Sequence, residues 1–163
     1  MPARAMLSFD VGAGKFQARA AAIIRREDHI LIHRMVLDPF WTLPGGRVEF
    51  GEDAATTVAR EIAEELGCTA RVGALSYFVE NMFELDQRDV HEMDLYFEAD
   101  IDPSFPFSET GICHRVVDGG AELEFRWVRT DAATLAGYDL KPSLLIPLLA
   151  EPAQSLRHMV HRG

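Results

Sequence analysis

Apolar residues recur along the chain with two different periods, and each change of period marks a new element. Residues 17–25 (QARAAAIIR) and 30–35 (ILIHRM) are strand-like runs on either side of the polar turn Arg26-Glu27-Asp28-His29, which predicts a hairpin. A loop carrying Asp38, Pro39, Phe40 and Trp41 follows, and then Thr42-Leu43-Pro44-Gly45-Gly46, where paired glycines let the backbone turn tightly and approach a ligand closely. Between Asp53 and Leu66 the period becomes helical. Ala55, Val58, Ala59, Ile62 and Leu66 form one stripe, with Asp53 as N-cap and Gly67 as the C-terminal stop.

Residues 72–83 and 90–99 read as two long strands joined across a polar turn containing Asp86 to Asp89. Residues 101–120, with Pro103, Pro106, Gly111, Gly119 and Gly120, read as a loop able to cover a site. A half-buried strand over 121–129, a short helix over Asp131–Ala136 and a C-terminal helix over 142–150 complete the pattern, the last begun at Pro142 and disturbed by Pro147. The order of elements predicts one mixed α/β domain over residues 1–163, with 1–14 and 151–163 peripheral.

Composition narrows the partners. The 163 residues are 48% hydrophobic and 26% charged, as in a folded soluble domain, which excludes extensive disorder. The formal net charge of -10 repels a nucleic-acid backbone or an anionic membrane, and leaves a small anionic substrate only if a cation screens the encounter. Cys68 and Cys113 form neither a CxxC pair nor a disulfide framework, the apolar run from Ala5 to Phe9 is too short for a signal peptide, and no stretch is long enough to span a membrane. A cytoplasmic protein is expected.

The predicted helix has a second face. At about 100° per residue, Glu61, Glu64 and Glu65 fall within one arc beside the apolar stripe. Arg60 can reach Glu64, but one guanidinium does not neutralise three acids. The remaining charge suits a hard divalent cation with oxygen ligands, magnesium first and manganese second. A glutamate-rich helix face in an acidic chain is ordinarily solvated surface, so the neighbouring residues decide. Gly46 is followed after five residues by Glu52, and after seven more by Arg60-Glu61-Ile62, Glu64-Glu65 and Gly67. The segment GRVEFGEDAATTVAREIAEELGC, residues 46–68, resembles the Nudix box, GX5EX7REUXEEXGU with U aliphatic, and departs from it only at Cys68. Seven named identities arise by chance on the order of once in a billion windows.

The resemblance to Nudix hydrolases extends to the preceding WTLPGG, the first hairpin and the later strand with Phe125, Trp127 and Val128. It implies the Nudix fold, a mixed β-sheet sandwiched between α-helices. It also implies magnesium-dependent hydrolysis of a phosphoanhydride in a small nucleoside diphosphate derivative. On this matching Glu61 and Glu65 are direct metal ligands, Glu64 a further ligand or the base that activates water, the Gly46 carbonyl an added ligand, Glu52 a ligand directly or through water, and Arg60 the residue that orients the acids. A base outside the box is also known in the family, which makes Glu92 and Glu109 candidates.

Recognition of the rest of the substrate must come from elsewhere. Arg19, Arg34 and Arg47 are candidate phosphate contacts, and Phe40 and Trp41 candidates for stacking on a base, with paired arginines and core aromatics as the competing reading. His91-Glu92 is no zinc motif, since position 95 is Leu95. Gly12-Ala13-Gly14-Lys15 lacks the rest of a phosphate-binding loop, and His158 and His161 are expected to be solvated. Two other functions are compatible with the pattern: a nucleotide sensor on the same fold that does not cleave, which an intact box disfavours, and an RNA-decapping enzyme, which would want a basic groove. A homodimer is a further expectation, with 100–120 contributing to its interface.

Overall fold

The computed structural model describes residues 4–163. Among them are nine strands: β1 (Ser8–Val11), β2 (Gly14–Arg26), β3 (His29–Met35), β4 (Gly45–Arg47), β5 (Ala70–Leu85), β6 (Arg88–Ile101), β7 (His114–Asp118), β8 (Ala121–Arg129) and β9 (Arg157–Arg162). Two helices, α1 (Ala54–Leu66) and α2 (Ala132–Gly137), and a 3-10 helix at Ser143–Leu148 accompany them. The strand order is β7-β8-β3-β2-β6-β5-β9, with β1 and β4 also paired to β2. The β2–β6 and β5–β9 pairs are parallel and the others antiparallel, so the sheet is mixed.

Residues of β2 alternate between two cores. Ala20, Ala22 and Ile24 face α1, where Val58, Ile62 and Leu66 pack with Leu31, Phe97, Phe125 and Trp127. Ala21 and Ile23 face the other way, against Ile30, Ile32, Tyr77 and the leucines 135, 140, 145 and 149 of the α2 and 3-10 layer. A strand covered on both sides reads as an unbroken apolar run, which is what 20–24 is. Helices on both faces of a mixed sheet are the expected architecture.

The feature that makes room for a site is a split between β2 and β3. These strands pair only at the hairpin end, Arg25 with Ile30 and Arg26 with His29. Beyond it they diverge, and the glycine turn enters the gap. Thr42 bridges to His33, while Gly45, Gly46 and Arg47 pair with Ala21, Ala20 and Arg19. The approach is so close that a Cβ at Gly45 would overlap the Ala20 carbonyl oxygen and the Ala21 backbone, so only glycine fits.

Four expectations change. The stretch 101–120 is not all loop. Residues 114–118 form β7, joined to β8 by the two-residue turn Gly119-Gly120, both with positive φ. The rest is tied down: Trp127 Nε1 donates to the Pro106 carbonyl at 2.9 Å and Arg26 Nη1 to that of Phe105 at 2.6 Å. The C-terminal helix is a 3-10 segment, because Pro147 within it has no N–H to close an α-turn. Residues 157–162, expected at the periphery, form an edge strand along β5. Finally, His158 is exposed yet bonds Glu80 at 2.7 Å, and half-buried His161 bonds the Asn81 side chain at 2.9 Å.

Candidate metal centre

Helix α1 sets the site, and its ends are capped as its sequence demands. The Asp53 carboxylate accepts from Thr56 N at 2.8 Å. Gly67, in the left-handed region at φ 67°, sends its N–H to the Ala63 carbonyl at 3.2 Å. With Val58, Ile62 and Leu66 facing the core, the neighbouring positions point toward the glycine turn. Glu61 and Glu65 are buried there, 7% and 5% exposed, whereas the Glu64 side chain is 37% exposed. The three acids therefore do not share one solvated arc as the helical wheel places them: two enter the gap between β3 and β4, and one stays at its rim.

Arg60 gathers the acids. Its Nε and Nη2 donate to the two oxygens of Glu52 at 2.8 and 3.0 Å, and its Nη1 to Glu61 at 2.9 Å and Glu64 at 3.4 Å. Glu49 lies 3.6 Å away, and Nη2 also bonds the Arg47 carbonyl at 3.2 Å. This fork holds Glu52 down at about 2, aided by the Thr57 hydroxyl, which donates to it at 2.5 Å. Burial acts oppositely on the inner pair. It pushes both Glu61 and Glu65 up to about 7, Glu65 adding to the shift of Glu61 and Asp118 to that of Glu65.

Asp118 is the site residue that the sequence reading does not contain. It stands at the β7–β8 turn, and its carboxylate comes within 4.8 Å of ligand oxygens of both Glu61 and Glu65, which lie equally close to each other. Two further groups bracket Glu65. His114 Nε2 donates to its backbone carbonyl at 2.7 Å, and buried His33 places Nδ1 3.6 Å from its carboxylate, with no hydrogen-bond partner at that nitrogen. Burial holds His33 down to about 3, so the imidazole is neutral. Gly46 completes the enclosure, since a Cβ there would collide with the Glu61 carboxylate. Three convergent carboxylates, two of them costly to charge without a cation, are a donor set suited to a hard divalent ion.

The other expected residues lie apart from this group. Arg34 is committed to Glu124 at 2.8 Å and to the Asp38 carbonyl, and lies 4.6 Å over the Trp41 ring. Trp41 is 4% exposed, with Arg126 at 6.0 Å and Tyr138 against its edge, so its ring packs in the core and is not free to stack on a base. Arg47 bonds Gln17 at 3.1 Å. Glu92 and Arg19 sit on the sheet face away from α1, and Glu109 lines a shallow cavity with His29, Trp127 and Tyr138. Neither Glu92 nor Glu109 joins the box acids. An exposed arm also touches the rim, where Arg4 pairs with Glu64 at 2.9 Å.

A mixed sheet between helices, split to admit a glycine turn facing an acidic helix, defines a class of fold. Solved structures share it. MutT protein from Bacillus halodurans covers 89% of this chain and 90% of its own at TM-score 0.61 and 19% identity, and an ADP-ribose pyrophosphatase from Streptococcus suis covers 89% and 98% at TM-score 0.58 and 14% identity. The NUDIX domain pattern matches residues 15–149, and the chain belongs to the NUDIX family. A Bacillus subtilis protein provisionally named an 8-oxo-dGTP diphosphatase is 38% identical over 58 residues, 36% of this chain. The matched segments span between 29% and 39% of the curated relatives' own length. Among the described residues no helix is long and apolar enough to cross a membrane.

Proposed function

We propose that this protein hydrolyses a phosphoanhydride bond in a small nucleoside diphosphate derivative, a nucleoside triphosphate, nucleotide sugar or compound of the ADP-ribose type. The observation that carries the reading is the meeting of Glu61, Glu65 and Asp118 from two distant segments beside the glycine turn. These three would hold magnesium, or manganese, with the Gly46 carbonyl and Glu52 as further ligands directly or through water. The bound cation would offset the charge of the phosphates and acidify water. The protein's own residues do the rest. Arg60 fixes Glu52, Glu61 and Glu64 in one constellation, which lowers the reorganisation needed in the transition state. Glu64, the exposed member, would serve as a further ligand or as the base that takes the proton of the attacking water. The names of the relatives, diphosphatases and pyrophosphatases among them, agree with this class of reaction.

The test is incubation of the purified protein with nucleoside triphosphates, oxidised nucleotides, nucleotide sugars, ADP-ribose and dinucleotides, each with magnesium and with manganese. Turnover of at least one is expected. Pyrophosphate release would indicate a triphosphate, and two monophosphate-bearing products a sugar nucleotide or dinucleotide. No turnover of any of them would overturn the reading.

A further inference from the structure

Behind the acids of α1 the sheet carries a row of three rings. His33 on β3, Phe125 on β8 and His114 on β7 stand side by side in register. The Phe125 ring lies 5.2 Å from that of His33 and 5.6 Å from that of His114. Both histidines reach one residue of the helix, Glu65, and they reach different parts of it. His114 Nε2 donates to its backbone carbonyl at 2.7 Å, a group in the last turn that the helix itself leaves without a partner. His33 turns Nδ1 toward its carboxylate, 3.6 Å away.

The second contact is incomplete, since 3.6 Å is beyond hydrogen-bond range. His33 is 6% exposed, and its Nδ1 has no other partner among the described residues. An unpaired polar atom so placed costs about 1 to 3 kcal/mol, which an aliphatic residue at the same point of the strand would avoid. The ring itself is held in place. Thr42, just before the glycines, bonds His33 twice through the backbone, N to O in each direction at 2.9 Å, and Phe125 packs against the ring. Glu65, with the longer and more flexible side chain, is the member of the pair able to move.

His33 also stands outside the set of carboxylates, Glu61, Glu65 and Asp118, whose oxygens lie within 4.8 Å of one another. Its place is behind Glu65 and not among the ligands.

We propose that His33 is a positioning residue of the metal centre: with a divalent cation held by Glu61, Glu65 and Asp118, its Nδ1–H donates to Glu65 and fixes which carboxylate oxygen faces the ion. The inference rests on the proposed metal-dependent hydrolysis and names a residue outside the box that serves it. A carboxylate only accepts, so the ring nitrogen facing it carries the proton, and a bound cation keeps Glu65 charged and able to accept. A movement of about 0.6 Å by Glu65 closes the bond. The residue is then gripped at both ends, its backbone by His114 and its carboxylate by His33. Partners behind a ligand orient it in this way, and losing one weakens metal binding about 10- to 100-fold.

Magnesium binding to the metal-free protein, followed by calorimetry, tests this apart from hydrolysis. His33→Leu should weaken magnesium about tenfold. Tm of the metal-free variant should stay level or rise, because the unpaired nitrogen is gone. His33→Asn, whose side-chain amide donates from nearly the same place, should recover most of the affinity. In the unaltered protein, nitrogen NMR of the imidazole should find the proton on Nδ1 once magnesium is bound, a readout that needs no variant. Parent affinity in His33→Leu, equal losses in both variants, a proton on Nε2 in the magnesium complex, or no magnesium binding at all would overturn the inference. Magnesium affinity that depends on His33, in a protein that turns over none of the nucleotide derivatives, would leave the inference standing and remove the hydrolytic reading. Turnover with magnesium bound equally well by His33→Leu would do the reverse.

Discussion

Arg60 and Arg19 both stand among carboxylates, and the protein holds them in opposite ways. Arg60 reaches four acids, Glu49, Glu52, Glu61 and Glu64, at 3.6 Å or less. Arg19 feels Glu92, Asp94 and Glu65 through space, and although burial works against its charge these acids hold it above its ordinary value, with no ion pair formed among the described residues. The first centre is built from one helix and the loop before it, where spacings of one, four and eight residues bring partners together locally. The second is built from cross-strand register between β2 and β6. The first arrangement is pinned by hydrogen bonds on every side, whereas the second keeps Asp94 Oδ1 without a partner.

The sharpest break of this comparison is Glu65→Gln, which removes charge from the local cluster while keeping its shape. Turnover should fall about 10^2- to 10^3-fold with the circular dichroism spectrum unchanged. Unaltered turnover would show that the helix acids are not the working centre. Next in size is Arg60→Ala. It leaves several acids facing one another and should cost about 3 kcal/mol, the low end for a buried ion cluster, or roughly 6 to 12 °C in Tm. Magnesium should restore part of the loss, measured by thermal unfolding with and without the ion.

A smaller effect is expected at the residue contributed from outside the helix. Asp118→Asn should weaken magnesium binding about tenfold by calorimetry while barely moving Tm, since the residue is exposed and at a turn. Affinity equal to the parent would confine the centre to the box. The smallest effect is the pH response of the metal-free protein. Glu61 and Glu65 sit at about 7 when folded against an ordinary 4.5, so the folded state binds more protons between those values, and stability should decline as pH rises from about 4.5 through 7. Glu52 acts in the other direction. Held at about 2, it contributes stability above its ordinary value that is lost as pH falls through 2. A drop of a few degrees in Tm between pH 5 and pH 8, absent when both Glu61 and Glu65 are glutamine, is the expected result.

Much of this protein was legible from residue order alone, for a physical reason that differs by region. The α1 stripe, its Asp53 cap and its Gly67 stop depend on neighbours within four residues, and so does the fork of Arg60 to Glu61 and Glu64. The first hairpin was legible too, its turn tightening to Glu27-Asp28 with Glu27 at φ 52°. The β7–β8 hairpin has only a faint signal in the sequence: Val116-Val117 is a β-branched pair ahead of Gly119-Gly120, the composition of a two-residue turn, within a stretch otherwise dominated by proline and glycine. Trp41 was ambiguous in principle, because an aromatic residue beside a glycine turn looks the same in sequence whether it faces a ligand or, as here, the leucines of the second core.

Residue order by itself determined the acidic helix, the glycine turn before it and membership in the family, because helical geometry and chain connectivity translate short spacings directly into neighbours in space. Tertiary structure alone decided that β2 and β3 would part to admit the turn, that Glu61 and Glu65 would be buried while Glu64 stayed out, and that Asp118, more than fifty residues further along, would join them. It alone set Arg19 against Asp94. Those pairings are fixed by strand register and by burial, and both belong to the packed sheet as a whole and to no local stretch of chain.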